Sequence, residues 1–265
     1  MSKKYTARLK ARVVPIQNLT DADITRMYAI MCKYYNSVLE NDFRRDLSKK
    51  TCVVLLREIG TQMIQGFSTL LSIELKSHGR SVQCIYSGDT IVEEAFWGQR
   101  GLQLAFSRFI LMEKLKRPFK PVYWFLISKG YKTYLLMSNN FFEHYPRFEK
   151  AVPKSKRDLM NAFYGSLYPQ HYRPESGLIQ FTGESCRLKQ GVAAISPELI
   201  AKNPRIAFFE KTNPRWREGT ELACLAKITG LEPIGYFFKA FYRLKLTQAL
   251  VRIPRYILTG STENA

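Results

Sequence analysis

Ser81-Val82-Gln83-Cys84-Ile85-Tyr86-Ser87, closed by Gly88, begins the stretch whose reading decides the fold. The β-favouring run predicts a strand and the glycine a turn. Arg100-Gly101-Leu102-Gln103-Leu104-Ala105 then opens an apolar helix that reaches about Lys116. Pro121-Val122-Tyr123-Trp124-Phe125-Leu126-Ile127 reads as a second apolar strand, and residues 129–136 as a second helix. Two strands joined through a helix place a ligand crevice at their carboxyl ends. A helix start with small residues and backbone N–H groups outside the helical ladder makes an anion cradle.

Working outward, Tyr5, Ala7, Leu9, Ala11 and Val13 alternate with polar residues and predict a half-buried strand ending at Pro15. Thr20-Asp21 caps a helix in which Ile24, Met27, Tyr28, Met31, Tyr34, Tyr35 and Val38 recur at helical spacing. Residues 41–50 read as a short basic helix or turn. A meander follows: a strand at Cys52, a long strand over residues 63–75, and the strand containing Tyr86. Gly66 inside the long strand predicts a bulge or a close backbone approach, and His78-Gly79 predicts the next turn. Beyond Asn140 the pattern predicts helices over residues 155–168, 197–201 and 217–229, and strands over 177–181 and 205–210. Residues 234–250 read as a basic amphipathic helix, and the tail from Gly260 as frayed.

The chain carries 41 Lys and Arg against 22 Asp and Glu, a net charge of +19. The excess is absent from residues 51–100. It is dense at Lys114, Lys116, Arg117, Lys120, Lys129 and Lys132, with no acid between the first and last of these. Such clustering predicts an acidic partner: a carrier protein, an anionic lipid surface or nucleic acid. Cys32, Cys52, Cys84, Cys186 and Cys224 form no CxxC pair, which predicts a reducing compartment, with Cys52 and Cys84 as small core residues. His78, His144 and His171 lack metal spacing, so no metal site is expected. No signal peptide and no run of about 18 apolar residues is seen, so the expected location is cytoplasmic, with peripheral membrane attachment open.

The order strand, helix, short helix, three-stranded meander, helix, strand, helix resembles the GNAT acyltransferase superfamily over residues 5–147. That superfamily holds the acyl donor's pyrophosphate at a Q/R-x-x-G-x-G/A motif opening the central helix. Arg100 and Ala105 fit the motif. Gln103 stands where glycine is usual, and the connection from Tyr86 to Arg100 is longer than in the family. The resemblance implies an α/β (α+β) fold: a mixed, largely antiparallel sheet flanked by helices. Residues 1–150 would form the donor-binding core, and residues 151–265 a C-terminal extension or small lobe shaping the acceptor site. It also implies no tightly bound cofactor. The co-substrate would be an acyl-CoA or the phosphopantetheine thioester of an acyl carrier protein, held by Ser87, Arg100, Gly101, Leu102, Gln103, Leu104 and Ala105. A glutamine there crowds a pyrophosphate but leaves room for an arm with one phosphate. Relatives that use long acyl chains on carrier protein combine the fold with a basic docking face, here Lys114, Lys116, Arg117, Lys120, Lys129 and Lys132. Phe67, Phe96, Trp97, Trp124 and Phe125 would line an acyl pocket, although the adjacent Trp124 and Phe125 must face opposite sides of their strand.

The implied reaction moves a fatty acyl group to an amine by direct attack, because no Ser-His-Asp arrangement or nucleophile elbow appears. The thioester must be held, its oxyanion stabilised and the amine deprotonated. The family's usage points to backbone N–H groups of residues 85–87 for the carbonyl. Asp89, Glu93 and Glu94 are the candidate bases. Tyr131 or Tyr134, on the helix after the fifth strand, would protonate the leaving thiolate, and His144 is a weaker acid–base candidate. The acceptor is not legible. Other readings stay open: a basic nucleic-acid-binding protein, a peripheral membrane protein docking through residues 234–250, or a GNAT-like fold without catalysis.

Overall fold

A computed structural model describes residues 7–35, 38–181 and 195–229. The expectations placed on Tyr5, on residues 234–250 and on the tail from Gly260 lie outside the described residues. Strands β1 (Leu9–Pro15), β2 (Cys52–Glu58), β3 (Ile64–Ser77) and β4 (Arg80–Val92) form an antiparallel meander. β5 (Val122–Ser128) pairs with β4 in parallel, and β9 (Glu221–Ile228) pairs antiparallel with β5. The short strands β8 (Leu178–Ile179) and β7 (Tyr172–Arg173) continue the sheet, and β6 (His144–Tyr145) also pairs β9. The order is therefore β1-β2-β3-β4-β5-β9-β8-β7. This is a mixed, largely antiparallel sheet flanked by helices, and the elements from Leu9 to Ser138 come in the order expected from the sequence.

One face carries α1 (Asp21–Tyr34), α2 (Glu40–Ser48) and α5 (Lys154–Leu167). The other carries α3 (Gly101–Leu115), α4 (Tyr131–Ser138) and α7 (Pro204–Thr212), with α6 (Pro197–Lys202) beside α7. Because both faces are covered, β2 is apolar without alternation. Val53 and Leu55 pack under α1, while Cys52 and Val54 pack under α3. Thr20 starts α1 through a capping box with Asp23, as its position before the apolar period implies. His78 and Gly79 both take positive φ, 48° and 73°, in the tight β3–β4 turn.

Two C-terminal expectations are overturned. Residues 205–210 are helical, within α7, because Asn203 caps the backbone N–H of Arg205 and Pro204 occupies the first turn. The expected helix at 217–229 is instead largely strand β9. Its run Leu222-Ala223-Cys224-Leu225-Ala226 is apolar because it is buried on both faces of the sheet, and continuous apolar runs carry no period. β9 lies inside the sheet, hydrogen-bonded to β5.

Gly66 meets both expectations set for it. The β2–β3 register shifts beside it, and an added Cβ would stand 2.7 Å from the Ile91 carbonyl oxygen and 3.0 Å from Val92 Cα. Backbone cannot yield as a flexible side chain does. Gly66→Ala is expected to cost about 2–3 kcal/mol, measured by urea denaturation. A loss below about 0.5 kcal/mol would show that the two strands can spread there.

Candidate functional site

β4 and β5 stay in register from Gln83↔Val122 to Ser87↔Leu126 and then part. Beyond Ser87, β4 remains with β3, pairing Ser68↔Thr90 and Phe67↔Ile91. Leu70 opposes Ser87, so Thr69 alone faces both Gly88 and Asp89. That two-against-one count is a β-bulge, and bulges re-aim side chains at the point where pairing ends. The sequence pattern ends this strand at Ser87 and makes Gly88 a turn. The strand instead runs through Gly88 and Asp89 to Val92. Gly88 is needed there: an added Cβ would stand 2.6 Å from Thr69 Oγ1.

On the α3 face, the parting opens a cavity of about 160 Å³. Leu102, Phe106 and Ile110 of α3, Trp124 of β5, and Leu136 and Phe141 from α4 and its end make an apolar wall. Ser68, Ser87, Thr90, Gln103, Ser107 and Asn140 supply its polar points. Most of these groups are already engaged. Trp124 Nε1 donates to Ser87 Oγ at 2.9 Å, and the hydroxyls of Ser68 and Thr90 share a 2.7 Å bond. Gln103 Oε1 is buried without a partner among the described residues. An orphan acceptor in a cavity wall calls for a donor from whatever fills the cavity.

On the opposite face, the bulge meets a cluster of charges. Lys50 and Lys129 are nearly buried. Lys50 Nζ lies 2.7 Å from Asp46 Oδ2 and over the Tyr86 ring, and Lys129 Nζ lies 3.2 Å from Glu221 Oε1 and over the Tyr35 ring. The hydroxyls of Tyr86 and Tyr168 share a 2.7 Å bond. Asp89 is half-buried among these groups. Burial pushes its carboxyl up to about 6, and the Asp46 carboxylate adds to the shift. Lys50 and Lys129 pull it down, and Glu221 pushes the same way as Asp46. A carboxylate that titrates near neutrality at a cleft is suited to take a proton.

The other sequence-derived candidates scatter. Of the helix-opening motif, Leu102 and Gln103 reach the cavity. Gly101 packs near Leu56 and Ala11, Leu104 is exposed and Ala105 packs with Cys52 and Val54. Arg100 is the N-cap of α3; no side chain caps this end and no acid occupies its first turn. Trp124 and Phe125 do face opposite sides, so only Trp124 lines the cavity, while Phe125 stacks on Phe163 at 4.0 Å. Phe67 is buried under α1 and α2. Phe96 and Trp97 sit beyond the end of β4, with Trp97 Nε1 donating to the Val92 carbonyl.

The expected bases and acids also separate. Glu93 is bound by Arg26, Lys33 and the Tyr34 hydroxyl and fastens the end of β4 to α1. Glu94 is exposed. Tyr134 is buried, donates to the Pro146 carbonyl and is held well above the ordinary tyrosine value by burial. Tyr131 begins α4 and is half-buried. His144 is buried with Nδ1 on the Phe141 carbonyl, and burial lowers its pKa, which favours the neutral ring.

The basic run forms no single docking face. Lys114 is spent on the carbonyls of Pro118 and Lys120, Lys116 and Arg117 on Glu113, and Lys120 on Glu74. Lys129 lies on the opposite sheet face with Glu221, and Lys132 is exposed on α4. Asp46, Lys50, Tyr168 and Glu221 went unnoticed as site residues because their strands and helices meet only in three dimensions. A lone acid at the head of an apolar run, Glu221, was the one local signal.

Neither the protein-family models nor the curated proteins give a match to this chain. Solved structures do. One is a GNAT family N-acetyltransferase, YhbS, from Escherichia coli in complex with CoA: 16% identity, 46% of this chain, 64% of that one, TM-score 0.33. Another is an Enterococcus faecalis protein described as a probable N-acyltransferase: 14% identity, 60% and 43% coverage, TM-score 0.39. A third is Saccharomyces cerevisiae N-myristoyltransferase with bound myristoyl-CoA: 11% identity, 44% and 30% coverage, TM-score 0.33. The match spans less than two thirds of each of these three chains. They are likenesses of fold.

Proposed function

We propose that this chain is an N-acyltransferase in which an acyl thioester and an amine meet through the gap between β4 and β5. The carrying observation is the placement of an apolar cavity on one sheet face and the raised carboxyl of Asp89 on the other, joined at the Gly88–Asp89 bulge. The donor, acyl-CoA or the phosphopantetheine thioester of a carrier protein, enters along α3, with Gln103 Oε1 accepting an amide N–H of its arm. Its acyl group is fatty, to match the walls of Phe106, Ile110, Trp124 and Phe141. Asp89 takes the proton of the attacking amine, whose nitrogen bonds to the carbonyl carbon. Collapse of the tetrahedral adduct breaks the C–S bond, and Tyr131 returns a proton to the thiolate. Rate rises with pH through about 6, because Asp89 must be ionised to act as base.

The test is thiol release from acyl-CoA and acyl-carrier-protein thioesters of graded length, with a panel of amines. Leu136→Trp, at the exposed mouth of the cavity, is expected to cut transfer of long chains about tenfold or more and to spare acetyl transfer. Arg100→Glu is expected to weaken donor binding at the start of α3. If no thioester binds and nucleic acid binds with strong salt dependence instead, the acyltransferase reading fails.

A further inference from the structure

We propose that the outward face of α3 docks on an anionic lipid surface. α3 is apolar on both sides. Leu102, Ala105, Phe106 and Phe109 pack inward, yet Leu104, Met112 and Leu115 point outward, 37%, 46% and 63% exposed. Phe119, in the turn after the helix, is 99% exposed. A helix apolar all round is normally covered all round. The turn is also built to hold Phe119 out: Lys114 Nζ donates to the carbonyls of Pro118 and Lys120, at 2.9 and 3.1 Å, and fixes the backbone on both sides of the ring.

Charge selects the occupant. Arg108 and Lys116 are exposed along the same helix, whose one acid, Glu113, is buried. Glu113 answers Lys116 and Arg117 with a single carboxylate for two cations. A second copy meeting this face across a two-fold axis would set Arg108 and Lys116 against their own kind. A bilayer with anionic headgroups accepts both features, apolar side chains below the headgroups and cations among them. No helix among the described residues is long and apolar enough to cross a membrane.

Flotation with vesicles of phosphatidylcholine, alone or mixed with phosphatidylglycerol, tests this. The wild type is expected to float with the phosphatidylglycerol mixture, less so in high salt, and not with phosphatidylcholine alone. Phe119→Ser, and separately Met112→Glu with Leu115→Glu, are expected to lower the vesicle-bound fraction about tenfold or more with the thermal midpoint unchanged. The proposal is overturned if the wild type stays unbound, if both variants float like it, or if it proves to be a dimer that Phe119→Ser dissociates.

Discussion

Asp89→Asn is expected to lower turnover by about 10²–10⁴-fold and, at the same time, to stabilise the protein. The two effects share one cause. Burial and Asp46 raise the carboxyl from 3.8 to about 6, so the folded chain holds its proton more tightly than the unfolded chain. The contribution of Asp89 to stability is greatest when it is protonated, falls as pH rises from about 4 to about 6, and stays low above that. An amide carries no such cost, and Asp89→Asn should gain up to about 3 kcal/mol at pH 7 and nothing at pH 3. Turnover with a saturating thioester and urea denaturation at both pH values decide the matter. Full activity in the variant would remove Asp89 as the base. A stability gain that is the same at both pH values would refute the titration argument.

Lys129→Met is expected to destabilise the fold by about 3–5 kcal/mol. Lys129 and Glu221 are only 13% and 9% exposed, and Lys129 also lies over the Tyr35 ring. Removing the ammonium leaves a carboxylate with little water beside Asp89, a second acid. The repulsion should push Asp89 further up, so the midpoint of the pH–rate profile moves to higher pH. Adding Glu221→Gln to Lys129→Met removes the stranded charge and should restore most of the loss. Chemical denaturation of the single and double variants measures this. If the double variant is no more stable than Lys129→Met, the ion pair is not what holds these two strand ends together.

The meander and the parallel pair were legible because their signals are local. Thr20 before an apolar period, His78-Gly79 between alternating runs, and two apolar strands around a helix depend on residues close in the chain. Asp89 was also legible as a candidate, although for its position after a strand and not for the bulge that aims it. The reading failed where burial replaced periodicity. Residues 222–226 are helix formers by composition but sit between β5 and the short strands β6 and β8, where both faces demand apolar side chains. The basic run failed for a different reason: acids distant in sequence, Glu74 and Glu221, answer two of its cations.

By itself, then, the sequence determined the sheet's first five strands and the helices between them, since hydrophobic period, caps and turns act over a few residues. Tertiary structure alone decided where β4 leaves β5 and which of Trp124 and Phe125 lines the cavity. It also decided that Glu221 is the carboxylate that meets Lys129. Those are matters of register and burial, and both arise between segments far apart in the chain, where electrostatic and packing energies depend on distance in space.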